Sequence, residues 1–227
     1  MTKKVIFFAI LILVVCSMPV MAEDDVQYWS QYSLKAIDTK HVDYVSFWDL
    51  RFTDDLSDFS YWQATQRLIF DFIPYLSLGT NYTFLEEQVA NSKTKEEEFK
   101  HHHRLELEIN PHYELKKWVH VNIKNRNRFE FRWIEDQGSD NGRFRQRWEL
   151  EFPLKRIPAV KSVYINNEYF VAFNRQELNQ NRVIPIGINF KIFSKAILSV
   201  FYMIQSKKGA NDWSSNQIVG THLFLSV

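Results

Sequence analysis

Hydrophobic and polar residues alternate along most of the chain beyond residue 25, with a period of two rather than the 3.6 of an α-helix. The clearest case covers residues 119–133, where an apolar face interrupted by two asparagines is interleaved with charged and amide side chains. Residues 104–109 and 143–152 repeat the pattern. Because successive side chains of a β-strand point to opposite faces, each segment has one apolar wall and one charged wall.

Eleven segments with this alternation predict eleven β-strands. They lie near residues 26–38, 42–54, 57–73, 75–88, 96–110, 117–135, 142–154, 161–174, 181–193, 195–207 and 216–227. The connections near residues 38–40, 74, 110–112, 153–158 and 194 are mostly short or marked by proline. Those near residues 54–55, 89–95, 135–141, 174–180 and 207–215 are polar and generally longer. Short turns on one rim and longer loops on the other are typical of a transmembrane β-barrel.

The predicted fold is therefore all-β, a single antiparallel up-and-down transmembrane β-barrel of about 10–12 strands. A count of eleven strands conflicts with this prediction, because single-chain bacterial barrels have an even number of strands. Either residues 26–38 do not form a full wall strand, or the long segment 57–73 contains two strands.

A soluble periplasmic β-barrel that binds an apolar ligand is an alternative, since its strands would also alternate. Segment 117–135 is far longer than the five or six residues usual in soluble sheets. Aromatic residues make up 16% of a chain whose mean hydropathy is −0.32, which suits an apolar outside around a wet inside. Trp and Tyr recur near segment ends, where membrane-interface girdles lie. Residues 223–227, however, lack the terminal aromatic residue of many outer-membrane barrels.

The N-terminus has the layout of a secretory signal peptide. Lys3 and Lys4 precede an apolar run at residues 5–15, which is too short for a spanning helix. Small residues then lead to a predicted cleavage site after Ala22, so we expect a signal peptide at residues 1–22 and a barrel domain at 23–227. An uncleaved anchor is the alternative. The expected location is the outer membrane of a Gram-negative cell, with membrane lipid as a partner.

Composition excludes several kinds of function. Loss of residues 1–22 changes the formal net charge from +1 to −1, which argues against a nucleic-acid partner. Cys16 is the only cysteine and lies in the signal peptide. The mature chain therefore has no disulfide, thiolate metal site or cysteine nucleophile.

The charged faces of three consecutive strands are the most informative feature. In a membrane barrel they must line the lumen, because an arginine on the lipid face at mid-bilayer costs about 2–4 kcal/mol. The predicted lumen-facing columns are Arg104, Glu106, Glu108, Lys124, Arg126, Arg128, Glu130, Arg132, Arg143, Arg145, Arg147, Glu149, Glu151 and Glu168. These charges either neutralise one another and fill a closed lumen, or leave a narrow porin-like pore or binding cavity whose surplus arginine attracts a small anionic solute.

Other candidate chemistry is weak. His101 and His103 share one strand face and His102 the other, so the three cannot converge on one metal ion. Ser199 and His222 belong to no recognisable catalytic motif, which disfavours an enzyme. A lipid-modifying or hydrolytic membrane enzyme at the outer rim remains the alternative function. No cofactor and no metal are expected.

Five motifs occur in order along the chain. They are NRFEFR at residues 127–132, RFRQRWELE at 143–151, NEYF at 167–170, NQNR at 179–182 and FYMIQ at 201–205. Together they resemble the bacterial family catalogued as domain of unknown function 2490. The resemblance covers essentially the whole mature chain. It implies an outer-membrane-type β-barrel and no known activity.

Overall fold

The computed structural model describes residues 25–90, 96–115, 120–136, 142–154, 157–209 and 212–227, and these form one closed β-barrel. The strands are β1 (Val26–Asp38), β2 (Val42–Thr53), β3 (Asp58–Ile73), β4 (Leu76–Ala90), β5 (Glu97–Leu115), β6 (Val121–Ile134), β7 (Arg143–Pro153), β8 (Val160–Ala172), β9 (Glu177–Phe193), β10 (Ala196–Lys208) and β11 (Trp213–Ser226). No helix in these ranges is long and apolar enough to cross a membrane. The predicted signal peptide and its cleavage site at Ala22 lie outside the described residues.

The all-β barrel and its strand number are as the alternation predicted. Each strand from β2 to β10 pairs antiparallel with its two neighbours in sequence, so the chain forms a meander. The connections β2–β3, β4–β5, β6–β7, β8–β9 and β10–β11 lie at one end of the barrel, which we call the loop rim. The other five connections lie at the opposite end, the turn rim.

The barrel closes through a parallel pair, so the prediction of a purely antiparallel sheet is wrong. β1 pairs with β11 in parallel from Val26 opposite Gln217 to Lys35 opposite Ser226. The cause is topological: in a meander with an odd number of strands, the first and the last run in the same direction. Both explanations offered for the odd count are also wrong, because β1 pairs on both sides and β3 is one continuous strand.

The turn predicted at residues 110–112 is absent, because β5 continues through Pro111 to Leu115. Proline cannot donate a ladder hydrogen bond, but the sheet is held on either side of it. His112 N donates to Tyr75 O at 2.9 Å, and the pairing with β6 resumes at His112 opposite Lys124 in the same register. Residues 116–119 directly follow Leu115 and lie outside the described ranges. They include the predicted start of the next strand.

The loop predicted at residues 174–180 is also shorter than expected, since β9 begins at Glu177. Its first residues are polar and do not show the alternation that marks the other strands. They pair with β8 all the same, with Glu177 opposite Ala172 and Gln180 opposite Phe170, across a register shift between Phe170 and Val171. Backbone pairing with a neighbouring strand therefore extends β9 where the side-chain pattern does not predict it.

The apolar faces of the strands point outward and the charged faces point inward. Leu107, Phe131 and Trp148 are 48%, 45% and 48% exposed on the outer surface. Glu106 and Glu130, on the alternate positions, are 2% and 0% exposed inside the barrel. A soluble barrel with an apolar interior and charged exterior would have the opposite arrangement.

Two glycines allow large rings to lie flat against the inner wall. Phe201 of β10 is directly opposite Gly220 of β11, and Tyr164 of β8 is directly opposite Gly187 of β9. A Cβ on Gly220 would come within 2.1 Å of Phe201 Cζ, and one on Gly187 within 2.2 Å of Tyr164 Cζ. The rings thus occupy the space that a side chain on the facing strand would fill. This keeps them out of the centre of the barrel.

We predict that Gly220→Ala destabilises the barrel by about 1–3 kcal/mol, because the new methyl group and the Phe201 ring cannot share one space. Urea unfolding in detergent micelles, followed by heat-modifiable migration, measures the change. In a Phe201→Ala background the same substitution should cost much less, since the ring is gone. Equal costs in the two backgrounds would contradict the proposed contact.

Candidate functional site

The barrel interior contains a cavity of about 560 Å³ that is lined by residues from all eleven strands. Its lining extends from Lys207, next to the last residue of β10 at the loop rim, to Lys161 and Ile197 near the turn rim. The cavity therefore runs along most of the barrel axis. It is the natural place to look for a ligand or a solute path.

All fourteen charged residues predicted for the lumen lie inside the barrel. Those that line the cavity are Arg104, Lys124, Arg126, Arg128, Arg132, Arg143, Arg145, Arg147, Glu149, Glu151 and Glu168. The other three, Glu106, Glu108 and Glu130, are buried behind the arginines and are at most 2% exposed. The structure thus brings the whole predicted set together on one wall, formed by β5 to β8.

Glu130 is the centre of the first ion-pair network on this wall. Its carboxylate accepts from Arg143 Nε at 2.8 Å and from Arg145 Nη1 at 2.6 Å. Arg145 continues to Glu168, which also accepts from Arg126 Nη2 at 2.7 Å. Several short, charge-assisted hydrogen bonds to each carboxylate offset the large cost of removing these groups from water.

Arg128 is the centre of the second network. It donates through Nε to Glu108 Oε1 at 2.7 Å, and its Nη1 lies 3.0 Å from Glu106 Oε2. Arg67 of β3 reaches the other oxygen of Glu108 at 3.1 Å. Asn81 of β4 donates to both glutamates, at 3.0 and 2.9 Å. These bonds tie β3, β4, β5 and β6 together from the inside.

A third cluster lies towards the turn rim. Lys124 Nζ lies 3.0 Å from Glu149 Oε1 and 2.8 Å from Glu151 Oε2. Glu151 also accepts from the hydroxyl of Ser162. Arg147 Nη2 lies 4.0 Å from the other oxygen of Glu149, so two cations face two carboxylates and this end of the wall is balanced.

Arginines on the remaining strands stack on aromatic rings and were not predicted from the sequence. The Arg51 guanidinium lies 3.7 Å from the ring centroid of Trp29 and 3.8 Å from that of Tyr61, and its Nη2 is 2.6 Å from Asp49. Guanidinium groups stack well on ring faces because they are planar and weakly hydrated.

A second cluster of arginines and aromatic rings connects β1 with β7, β8 and β9. Arg182 lies 4.8 Å from the centroid of Trp29 and 4.9 Å from that of Phe170, while Arg143 and Arg145 lie over the same Phe170 ring at 4.9 and 4.6 Å. Arg51 and Arg182, unlike Arg143 and Arg145, are each the single arginine of their strand. The signal that could have found them is their inward position in the alternation, not a local charge pattern.

Cations outnumber carboxylates in the described interior. The cations that line the cavity are Arg51, Arg67, Arg104, Lys124, Arg126, Arg128, Arg132, Arg143, Arg145, Arg147, Lys161, Arg182 and Lys207. The carboxylates on or directly behind the lining are Asp49, Glu87, Glu106, Glu108, Glu130, Glu149, Glu151 and Glu168. Thirteen positive groups against eight negative ones leave a net positive cavity wall.

The strands opposite the charged wall carry an apolar patch. Trp29, Tyr164, Ile184, Phe201 and Met203 are in mutual contact with Ile218 and all five line the cavity. Four of them belong to β1, β9 and β10, and Tyr164 belongs to β8 at the edge of the charged wall. In the closed order of strands, β10, β11 and β1 lie across the barrel from β5, β6 and β7. The cavity is therefore basic on one side and apolar on the other.

The three consecutive histidines do not form a site. His101 Nδ1 is 2.9 Å from Glu86, and the ring of His103 bonds to the hydroxyl of Tyr82, while His102 is buried on the inner face. In the described ranges no group of three or more His, Cys, Asp or Glu side chains is placed to hold a metal ion.

Ser199 and His222 are opposite one another on β10 and β11, and both line the cavity. Their hydrogen bonds go elsewhere: Ser199 donates to Asn189, and His222 Nε2 is 2.8 Å from the hydroxyl of Ser33. The second ring nitrogen of His222 has no carboxylate partner among the described residues. The pair therefore lacks the orienting acid of a catalytic triad.

The family model for a protein of unknown function, DUF2490, matches residues 26–216 of the chain. No curated protein and no solved structure matches it. The match covers the barrel almost from its first strand to its last. It agrees with the family resemblance noted in the five motifs.

We predict that Glu130→Gln destabilises the barrel by about 3–5 kcal/mol, because it leaves two buried arginines without their shared counter-charge. Urea unfolding of the refolded protein in detergent measures the loss. The matched control is Glu177→Gln, which removes the partner of Lys208 in a partly exposed pair. The control should have little effect. Similar losses for both variants would contradict a special role of the buried network.

Proposed function

The chain belongs to the DUF2490 family of proteins of unknown function, and we propose that it is an outer-membrane β-barrel whose basic interior forms a narrow, anion-favouring passage. The observation that carries the proposal is the cavity itself. It extends along the barrel axis and is lined by a surplus of arginine.

The outer surface supports placement in a membrane. Large apolar side chains such as Leu105, Phe131 and Trp148 are exposed around the barrel, where water would make them costly. The reverse orientation of the wall would put a dozen arginine and lysine side chains into lipid, each at about 2–4 kcal/mol near mid-bilayer. The strands are also long enough, since their 11–19 residues equal or exceed the roughly 9–11 that a tilted strand needs to cross.

The predicted signal peptide at residues 1–22 supports export. Its positive start and short apolar run are typical of secreted proteins. A closed barrel with no free sheet edge can then enter the outer membrane, because every strand has its backbone partners within the protein.

The position of the ion pairs favours a passage over a filled interior. The networks around Glu130 and Arg128 lie along the wall formed by β5 to β8, and their guanidinium groups bond to strands on the same side. Arg51 and Arg182 lie over the ring of Trp29 on the opposite side of the barrel. The charged groups thus coat the wall, and the cavity remains between them. A net positive lining lowers the energy of an anion in this space and raises that of a cation.

We expect the native protein to fractionate with the outer membrane and to require detergent for extraction. Cell fractionation with antibody detection measures this, and heat-modifiable migration on gels reports the closed barrel. Recovery in the soluble periplasm without detergent would overturn the membrane assignment.

We also expect small, anion-selective currents when the purified protein is inserted into a planar bilayer. The sign of the reversal potential in a potassium chloride gradient gives the selectivity. Arg182→Gln and Arg51→Gln should lower the preference for chloride, because each removes a positive group from the lining. The control is Arg175→Gln in the β8–β9 turn, which changes the same charge outside the cavity and should have no effect. Absence of current at either polarity would rule out the passage.

A further inference from the structure

We infer that the cavity holds a binding site for a small amphipathic organic anion, a molecule with one acidic head on an apolar body. The inference deepens the proposed function, and it rests on that function only in requiring that the interior be open to solutes. Two features of the cavity carry it: a basic group without a protein partner, and an apolar wall facing it.

Arg104 is the basic group that lacks a partner. Its side chain lines the cavity and the residue is only 8% exposed, yet its Nε is buried without a hydrogen bond. No described group forms an ion pair with it within 4.0 Å. Buried charged donors in proteins are almost always paired, because an unpaired one has lost its hydration without compensation. An acidic group of a ligand would complete this site.

The groups around Arg104 reinforce its positive field. Arg143 is close enough to interact electrostatically with it, and Arg143 also interacts with Arg182 across the cavity. Among the described residues, Arg182 contacts two aromatic rings and the side-chain amides of Gln180 and Gln205, all of them neutral. This region contrasts with the turn-rim cluster, where Glu149 and Glu151 balance Lys124 and Arg147.

The acids in this region do not cancel the field. Glu87 lines the cavity and interacts electrostatically with Lys207, Arg104 and Arg51, so several cations share this carboxylate. Glu130 also interacts electrostatically with Arg104, but its carboxylate is already bonded to Arg143 and Arg145. The wall therefore offers charge to a monovalent or divalent acid without first breaking a strong ion pair.

The apolar wall supplies the place for the body of the ligand. Ile184 lies one inward position beyond Arg182 on β9, and Met203 and Phe201 are neighbours of Ile184 in the same cluster. A ligand whose head meets the arginines thus finds apolar side chains next to its first carbons. An inorganic anion would leave this wall unused, and an apolar molecule without an acid would leave Arg104 unpaired.

The volume sets the size of the ligand. A cavity of about 560 Å³ lies within the range of small-molecule sites, roughly 300–1,000 Å³. Because Gly220 and Gly187 let the Phe201 and Tyr164 rings lie flat, the space beside the apolar wall stays open. The site suits a small aromatic or alkyl acid better than a polymer.

A matched set of probes tests the inference on the full-length mature protein in non-ionic detergent. Phenylacetate has both features, acetate lacks the apolar body, phenethylammonium has the opposite charge, and inorganic phosphate is an anion with no body. Isothermal titration calorimetry, with displacement titrations for weak probes and subtraction of protein-free micelles, gives the affinities. We expect phenylacetate to bind roughly tenfold or more tightly than acetate, because the ring leaves water. Phenethylammonium should not bind.

Two variants separate the head from the body. Arg104→Gln should lower the affinity for phenylacetate and for acetate alike by roughly tenfold, because both ligands lose a charge-assisted hydrogen bond. Met203→Gln keeps the length of the side chain but makes it polar. It should lower the affinity for phenylacetate and leave the affinity for acetate unchanged. Arg175→Gln, outside the cavity, should bind like the wild type. Heat-modifiable migration of each variant verifies that it has folded.

The results distinguish this inference from the proposed passage. Binding of phenylacetate with no bilayer current would overturn the passage and leave the site. Anion-selective current without a preference for phenylacetate over acetate would overturn the site and leave the passage. Tighter binding of phosphate than of phenylacetate, or equal effects of Met203→Gln on both carboxylates, would overturn the role of the apolar wall.

Discussion

The bonds between arginine and glutamate inside the barrel are the interaction on which the rest of the structure depends. Glu130 and Glu108 have almost no contact with solvent and are held by guanidinium groups from neighbouring strands. In the membrane placement that we propose, lipid offers the outer face no hydrophobic gain beyond what it already has in the unfolded, membrane-bound state. The register of strand pairing must then be set by side chains inside the barrel. There each carboxylate finds its arginine partners only if β5, β6, β7 and β8 pair in one register.

The same wall explains why the lining of the cavity carries more cations than carboxylates. A buried carboxylate needs more than one donor, so the sequence supplies arginines in excess of glutamates. The donors left over after the ion pairs are formed face the cavity, as Arg104 does, or stack on rings, as Arg182 does. The same set of side chains thus determines the stability of the barrel and the preference for anions that we propose. A substitution that raises the stability will also alter this preference.

Most of the fold was predictable from the sequence, because a period of two marks each wall strand and assigns its faces. The failures have physical reasons. Pro111 usually ends a strand, but here flanking hydrogen bonds continue β5 past it. The parallel closure depends on the parity of the strand number, which is a global property. The stacking of Arg182 on Trp29 brings together β9 and β1, which no local pattern connects, so the aromatic half of the site could be found only in three dimensions.

The seam between β1 and β11 has a consequence for the order of folding. It joins residues about 190 positions apart, and its side-chain bonds, such as Tyr28 to Thr221 at 2.7 Å, cannot form until the last strand exists. Contacts of such high sequence separation are entropically costly and form late. Until then the growing sheet has two open edges that can pair with other chains. The unfinished barrel is therefore most exposed to aggregation before this closure.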